Sequence, residues 1–424
     1  MEILSNLTAS DAIERIRQKQ ITSEALVESC LEKIDAREHE IGAWQHIDAV
    51  HALAQARDRD KESAQGMLHG IPVAVKDIIE THDMPTAYGS SLYKGYRSPW
   101  DAACIAACRD AGAVILGKTV TTEFAYFHPG KTSNPHNMTH TPGGSSSGSA
   151  AAVSDGMVPI AFGSQTAGSV IRPASFCGVV GYKGTYGLFS MAGIKPFANS
   201  LDTLGVFTRK VADAALMHAV LLRIPLDGKP ITSPPRIGRC NTHEWPQADI
   251  ATRDALDEAV NYWRAAGAEV VDISLPDSFK DLATSQLTIM TFESARTFAF
   301  EYNFHADKLS KHMKKIVEDG RAITELAYSK AKALANECRR ELPALFSDHD
   351  ILVAPSSLGA APQGLDTTGD PLFNRIWTLL GVPCVNLPGY RTTNGLPVGV
   401  QIIGLPGNDK NLLDVATWLE AQLA

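Results

Sequence analysis

Three stretches of the chain hold side chains able to do chemistry: a lysine, a row of serines and an arginine. Lys76 closes the apolar run GIPVAVKD (70–77). A lysine there either snorkels to water or is held with its charge suppressed, and burial lowers an ammonium pKa toward the range of a useful base. GGSSSG (143–148) reads either as a linker or as a loop that holds something. It runs directly into AAAVSDGMVPIAFG (150–163), a helix and a short buried strand, whereas a linker has polar low-complexity sequence on both sides. FGSQTAGSVIRPASFCG (162–178) is a second turn of small residues, opening onto Arg172 and Pro173. Consecutive N–H groups in such a turn can form an anion-binding nest. It matches neither GxxxxGK[ST] nor GxGxxG, which argues against a nucleotide phosphate loop.

These side chains need elements to hold them. The 424 residues are 44% apolar and 20% charged, the balance of a globular protein with a sizeable core. A net charge of −8 argues against nucleic acid or an anionic membrane as partner. No apolar run is long enough to cross a bilayer, and the opening MEILSNLTASDAIERIRQKQ reads as a charged helix rather than an export signal. Seven dispersed cysteines without a CxxC fit a reducing cytoplasm, and the Cys104/Cys108 pair reads as small buried apolar groups on one helix face. Helices are expected over 9–19, 22–37 and 48–61, the second with a cap-like Thr22–Ser23 start. From 68 to about 187 strands and helices alternate, and another strand–helix–strand unit spans 235–275. Residues 278–346 read as helical. Strands return at 350–357, 383–389 and 397–404 before a closing helix from 409. The proline-rich ITSPPR (231–236) could mark a boundary, but strand content resumes at once. The expectation is one large α/β/α domain over 1–424, a central mixed sheet covered by helices, with 1–62 and the helical cover 278–346 as parts of it.

Taken together, GIPVAVKD, DAACIAACRDAGAVILGKT (101–119), SNPHN (133–137) before PGGSSSGSAA, GSQTAGSVIRPA (163–174) and GLPVGVQIIG (395–404) resemble the amidase signature family along nearly the whole chain. The resemblance implies a Ser–cis-Ser–Lys triad: Lys76 as base, Ser145 as the bridging serine with a cis peptide to its neighbour, and Ser169 as nucleophile. Serine needs a base to become nucleophilic, and Ser–Lys variants of the triad exist. It also implies an oxyanion hole of backbone N–H groups at Thr166, Ala167 and Gly168 beside Ser169, and substrate contacts at Arg172 and Gly144; no cluster of His, Cys and Asp has metal-ligand spacing, so no metal or other cofactor is expected.

Several positions depart from the family pattern. Ser147 stands where glycine is common, Gln165 where an acid is usual, Ala167 replaces a glycine, and Arg172 follows the nucleophile by three positions rather than two. GGSSSGSAAAV, SQTAGSVIRPA, TTGDPLFNRIWTLLG (367–381) and PCVNLP (383–388) resemble malonamidase-type enzymes, which hydrolyse short amides bearing a carboxylate. In that branch Arg172 would pair with the carboxylate, in a bidentate contact if free; the bland alternative has it bracing the turn against an internal acid. The expected activity is hydrolysis of a small linear amide such as malonamate through an acyl-enzyme, by a cytoplasmic enzyme with a homodimer as candidate assembly. The runner-up is the glutaminase-type A subunit of a tRNA-dependent amidotransferase. Phe292, Glu293, Phe298 and Tyr302 are the candidates to shape the pocket from the helical cover, and Glu123 and His136 read as structural.

Overall fold

In PVAVK the side chains point alternately to two faces: Val73 and Val75 join one apolar core and Ala74 the other. Ile115 against Val114 and Leu116, and Ile160 and Phe162 against Ala161, repeat the pattern. A period of two with apolar residues at every position gives strands covered on both sides. In the computed structural model, which describes residues 3–64, 66–226 and 231–423, eleven strands form one sheet; the domain ends expected at 1, 2 and 424 lie outside the described residues. The strands are β1 (Trp44–Ile47), β2 (Pro72–Lys76), β3 (Val114–Thr119), β4 (Ile160–Gln165), β5 (Val180–Lys183), β6 (Thr203–Thr208), β7 (Arg236–Asn241), β8 (Glu269–Ser274), β9 (Ile351–Pro355), β10 (Cys384–Arg391) and β11 (Pro397–Ile403). Their order is β1-β3-β2-β4-β6-β5-β10-β11-β9-β7-β8. β3, β2 and β4 are mutually parallel, as are β8, β7 and β9, and the pairs between those two groups are antiparallel. This is the mixed sheet in a single α/β domain that the sequence predicts.

One face is covered by helices Ser23–Ile41, Ala49–Lys61, Ser147–Ser154 and Ile171–Cys177. The other carries Ala9–Arg17, Ala103–Asp110, Val211–Leu222, Ile250–Ala265 and Asp409–Gln422. Thr22 caps the helix after it by accepting from Ala25 N–H. The cover is built around Leu282–Thr297, which packs against Lys311–Ala322, Glu325–Glu341 and Leu372–Leu380. Cys104 and Cys108 are free and buried on their helix.

Three elements are not foreseen in the sequence: β1, β6 and the helix Leu372–Leu380. β1 is four residues long, too short to show a period. β6, TLGVFT, follows β5 with no helix between to mark it, and Gly205 interrupts its apolar run. That glycine is there because a Cβ would sit 2.7 Å from Tyr182 O of the neighbouring strand.

Candidate active site

β2 and β4 run parallel with Ala74 opposite Ala161, so their C-terminal ends emerge side by side. Ligand sites of open α/β sheets form at such ends. Here β2 ends on Lys76, and β4 ends on Gln165 and passes into the turn 166–169. The third piece, GGSSSG, precedes the helix Ser147–Ser154, whose small residues let it sit close against the end of β3: a Cβ on Gly148 would lie 2.5 Å from Val120 N. The loop therefore positions a backbone and joins no separate bodies. The Gly144–Ser145 peptide is cis, as the resemblance implies. The carbonyls on either side of that bond are held: Thr122 N–H donates to Ser145 O at 3.2 Å, and Arg172 Nη2 to Gly144 O at 2.7 Å. Ser147, at the position where glycine is common, donates to Val120 O at 3.4 Å.

Lys76 is fully buried, with Nζ 2.7 Å from Ser145 Oγ and 2.9 Å from Ser164 Oγ. Burial holds its pKa well below the usual lysine range, opposed by the negative charge of Asp202. A lysine so held reaches the neutral amine at lower pH, and at 2.7 Å its lone pair can take the Ser145 proton. Ser145 and Ser169 line one small cavity, together with Thr166, Ala167, Arg172 and a largely apolar wall that includes Tyr126, Phe127, Phe197 and Met290. The N–H groups of Thr166, Ala167, Gly168 and Ser169 donate to no acceptor among the described residues. Gly168 keeps the turn tight, since a Cβ there would strike Asn374 Oδ1 and lie 2.8 Å from Pro371 Cβ.

Arg172 is buried, and the expected internal acid is not what it meets. Its Nε donates to Thr368 O at 2.8 Å, and Nη2 donates both to Gly144 O and, at 3.2 Å, to Thr368 Oγ1. Nη1 is buried without a partner among the described residues, and Arg172 lines the cavity. Burial lowers its pKa to about 9, with the Asp370 charge acting in the opposite sense. Nε and Nη2 are thus taken up in bracing the turn, and Nη1 alone is without a partner among the described residues. Gly144 meets Arg172 through its carbonyl.

Two further groups were not legible in the sequence. Ser164, at the end of β4, is the second hydroxyl on Lys76. Asp202 accepts from Thr166 Oγ1 at 2.6 Å and from the N–H groups of Phe197 and Ala198, and burial raises its pKa to about 6. The candidates chosen from the cover are corrected. Phe292 stacks on Tyr328, Glu293 accepts from Ser200 and Tyr328, Tyr302 donates to Glu318, and Phe298 packs behind Phe197. Met290, on Leu282–Thr297, lines the cavity, whereas the side chains of those four meet neighbouring helices and loops. Glu123 and His136 are structural, accepting from Ser310 N–H and pairing with Cys177 O. His82, Asp83 and Asp101 lie close enough to share an ion, but Arg109 already pairs with both carboxylates.

Residues 25–413 match the Amidase family. The chain belongs to that family. Among curated relatives, it is 33% identical to the A subunit of glutamyl-tRNA(Gln) amidotransferase from Anaeromyxobacter sp. (strain K), over 99% of this chain and 97% of that one. The corresponding protein of Chloroflexus aurantiacus (strain ATCC 29366 / DSM 635 / J-10-fl) is also 33% identical, over 98% and 96%. Among solved structures, the chain superposes on an amidase crystal structure with a TM-score of 0.91 at 28% identity, covering 99% of this chain and 100% of the other. It also superposes on the peptide amidase of Stenotrophomonas maltophilia, with a TM-score of 0.83 at 28% identity over 99% and 97%. This amidase-family chain is therefore similar to amide hydrolases along its length, and the curated relatives named above are amidotransferase A subunits rather than the malonamidase-type enzymes its motifs suggest. Among the described residues, no helix is long and apolar enough to cross a membrane.

Proposed function

We propose that the chain hydrolyses the C–N bond of a small amide bearing a carboxylate, through an acyl-enzyme on Ser169. The observation that carries this is the buried Lys76 Nζ at 2.7 Å from Ser145 Oγ, with Ser145 and Ser169 on one cavity. Ser169 Oγ attacks the amide carbon while its proton passes to Ser145 and the Ser145 proton to Lys76. The oxyanion meets the N–H groups of 166–169, each such donor being typically worth ~3–4 kcal/mol of barrier. The relay then runs backwards: the amine nitrogen takes a proton from Ser145 as the C–N bond breaks, and water, deprotonated through the same serine, cleaves the ester. Lys76 and Ser145 are already in hydrogen-bond contact, Ser145 and Ser169 line the same cavity, and these proton transfers need no cofactor. The substrate carboxylate takes the unpartnered Arg172 Nη1.

Two amides fit that description. Glutamine, hydrolysed by the glutaminase-type component of a tRNA-dependent amidotransferase, is the reading that the curated relatives support, and it places the protein in the cytoplasm with companion subunits. Malonamate or another short amide, hydrolysed by a free enzyme or homodimer, is the second reading. It draws on the alignment itself: 479 aligned positions are needed to cover 99% of these 424 residues, so the relatives carry segments that this chain lacks. Ammonia release from glutamine, malonamate and a neutral short amide, measured on the purified chain and on any complex pulled down with it, separates the two. Glutamine turnover that depends on co-purifying subunits supports the first. Turnover of malonamate by the lone chain supports the second, and equal turnover of the neutral amide defeats the carboxylate requirement of both.

A further inference from the structure

The Thr166–Ala167 and Ala167–Gly168 peptide units in the turn before Ser169 are each held from behind. Gln286 Nε2, on the cover helix Leu282–Thr297, donates to Thr166 O at 2.9 Å, and Thr378 Oγ1, on Leu372–Leu380, donates to Ala167 O at 2.7 Å. The C=O and N–H of one trans peptide unit point in opposite directions. Fixing the Thr166 carbonyl therefore aims the Ala167 N–H away from Gln286, and fixing the Ala167 carbonyl aims the Gly168 N–H away from Thr378. Each brace has a second link. Arg375 Nη1 donates to Gln286 Oε1 at 2.8 Å, and Gln165 Nε2 donates to Thr378 Oγ1 at 3.0 Å while its Oε1 accepts from Val170 and Ile171 N–H. The departure from the family pattern at Gln165 acquires a reason here. A carboxylate could accept from the two N–H groups, but only an amide can also donate to the Thr378 hydroxyl.

We propose that Gln286 and Thr378 are positioning residues for the oxyanion donors: two hydrogen-bond relays, Arg375–Gln286–Thr166 O and Gln165–Thr378–Ala167 O, orient and polarise the Ala167 and Gly168 N–H groups. This rests on the reading of 166–169 as the oxyanion-binding turn. All donors in each relay point the same way, and hydrogen bonds aligned in a chain strengthen one another. A group that draws on a peptide oxygen makes the N–H of that peptide a better donor. The cost of deleting a brace should stay below that of deleting a donor outright, because the N–H remains.

The test compares Thr378→Val, which keeps the shape and loses the hydroxyl, with Thr378→Ser, which restores it, and adds Gln286→Met for the other relay. For each, kcat and KM are measured on the best amide, together with the Ki of a small aldehyde that forms a tetrahedral adduct on the nucleophile. Thr378→Val and Gln286→Met should each lower kcat about tenfold, less than the 10²–10³ typical of removing a donor, with KM little changed and Ki raised by the same factor. Thr378→Ser should recover both. A brace that only stabilised the fold would lower the melting temperature and leave Ki alone. Wild-type Ki in both Thr378→Val and Gln286→Met overturns the proposal while the site reading stands. If Thr378→Val does not fold, Gln286→Met decides alone. A wild-type enzyme that the aldehyde does not inhibit overturns the site reading, and this inference with it.

Discussion

Replacing Arg172 with glutamine should produce two separable losses. The guanidinium makes charge-assisted bonds to the buried carbonyls of Thr368 and Gly144. Such bonds are worth about 1.5–3 kcal/mol each, and a carbonyl left without its donor adds a desolvation cost. Since Gly144 O belongs to the residue before Ser145, this loss reaches the bridging serine, and every substrate should turn over more slowly on a protein with a lower melting temperature. The second loss is confined to substrates with a carboxylate, which would lose the contact to Nη1. Truncating one partner of a buried charge pair costs ~2–5 kcal/mol, or roughly 30-fold to a few thousandfold at 1.4 kcal/mol per decade. The assay is kcat/KM for a carboxylate-bearing short amide and for its neutral isostere, in wild type and Arg172→Gln. The diagnostic quantity is the change in their ratio, since the bracing loss cancels. A ratio changed by less than threefold would refute the carboxylate role and leave Arg172 as a brace alone.

Three other outcomes follow from the same geometry. The base is neutral Lys76, so kcat/KM should rise with pH through the lysine pKa, be lost as pH falls below it, and turn at a lower pH than an ordinary lysine would give, because burial favours the amine. Asp202→Asn removes the charge that opposes that effect and should move the limb to still lower pH; an unmoved limb would take Lys76 out of the titration. Gly168→Ala should cut kcat at least tenfold, a loss set against the two to three decades that one oxyanion donor is worth. The new Cβ would push the turn off Asn374 and Pro371, and wild-type turnover would show that the turn has room to give. Lys118→Met should destabilise by about 3–5 kcal/mol, since it leaves the carboxylate of Asp77 buried beside it without its cation, whereas Lys118→Met with Asp77→Leu should recover most of that. Calorimetric melting of the single and double variants checks it.

The parts of the site that lie within short motifs were legible from the chain. Lys76 ends an apolar strand, and the two serines stand in turns of small residues that run into buried helices, so residue type and local pattern place them. The resemblance then joins Lys76 to serines 69 and 93 positions further on. What was not legible depends on distance along the chain. Gln286 and Thr378 reach their carbonyls across 120 and 211 residues, and nothing in SQLTIM or NRIWTLL marks a side chain as facing a distant turn. Arg172 shows the same limit in another form: its type and position announce an anion site, but only the fold shows which of its nitrogens are already taken. In the cover, helical periodicity separates a buried face from an exposed one but does not mark which side chain meets the cavity, so Met290 is not distinguished from Phe292, Glu293, Phe298 or Tyr302. The sheet was readable wherever strands alternate with helices, and became opaque at β6, which no helix precedes after β5 and which Gly205 breaks at its centre.

The central claim is that Ser169 carries the acyl group, and intact-protein and peptide mass spectrometry after treatment with a fluorophosphonate tests it most directly. The geometry predicts a single adduct on Ser169, formed more slowly in Lys76→Ala and absent in Ser169→Ala, which should also show no amide turnover. An adduct on Ser145 or any other residue, or turnover surviving in Ser169→Ala, would contradict it.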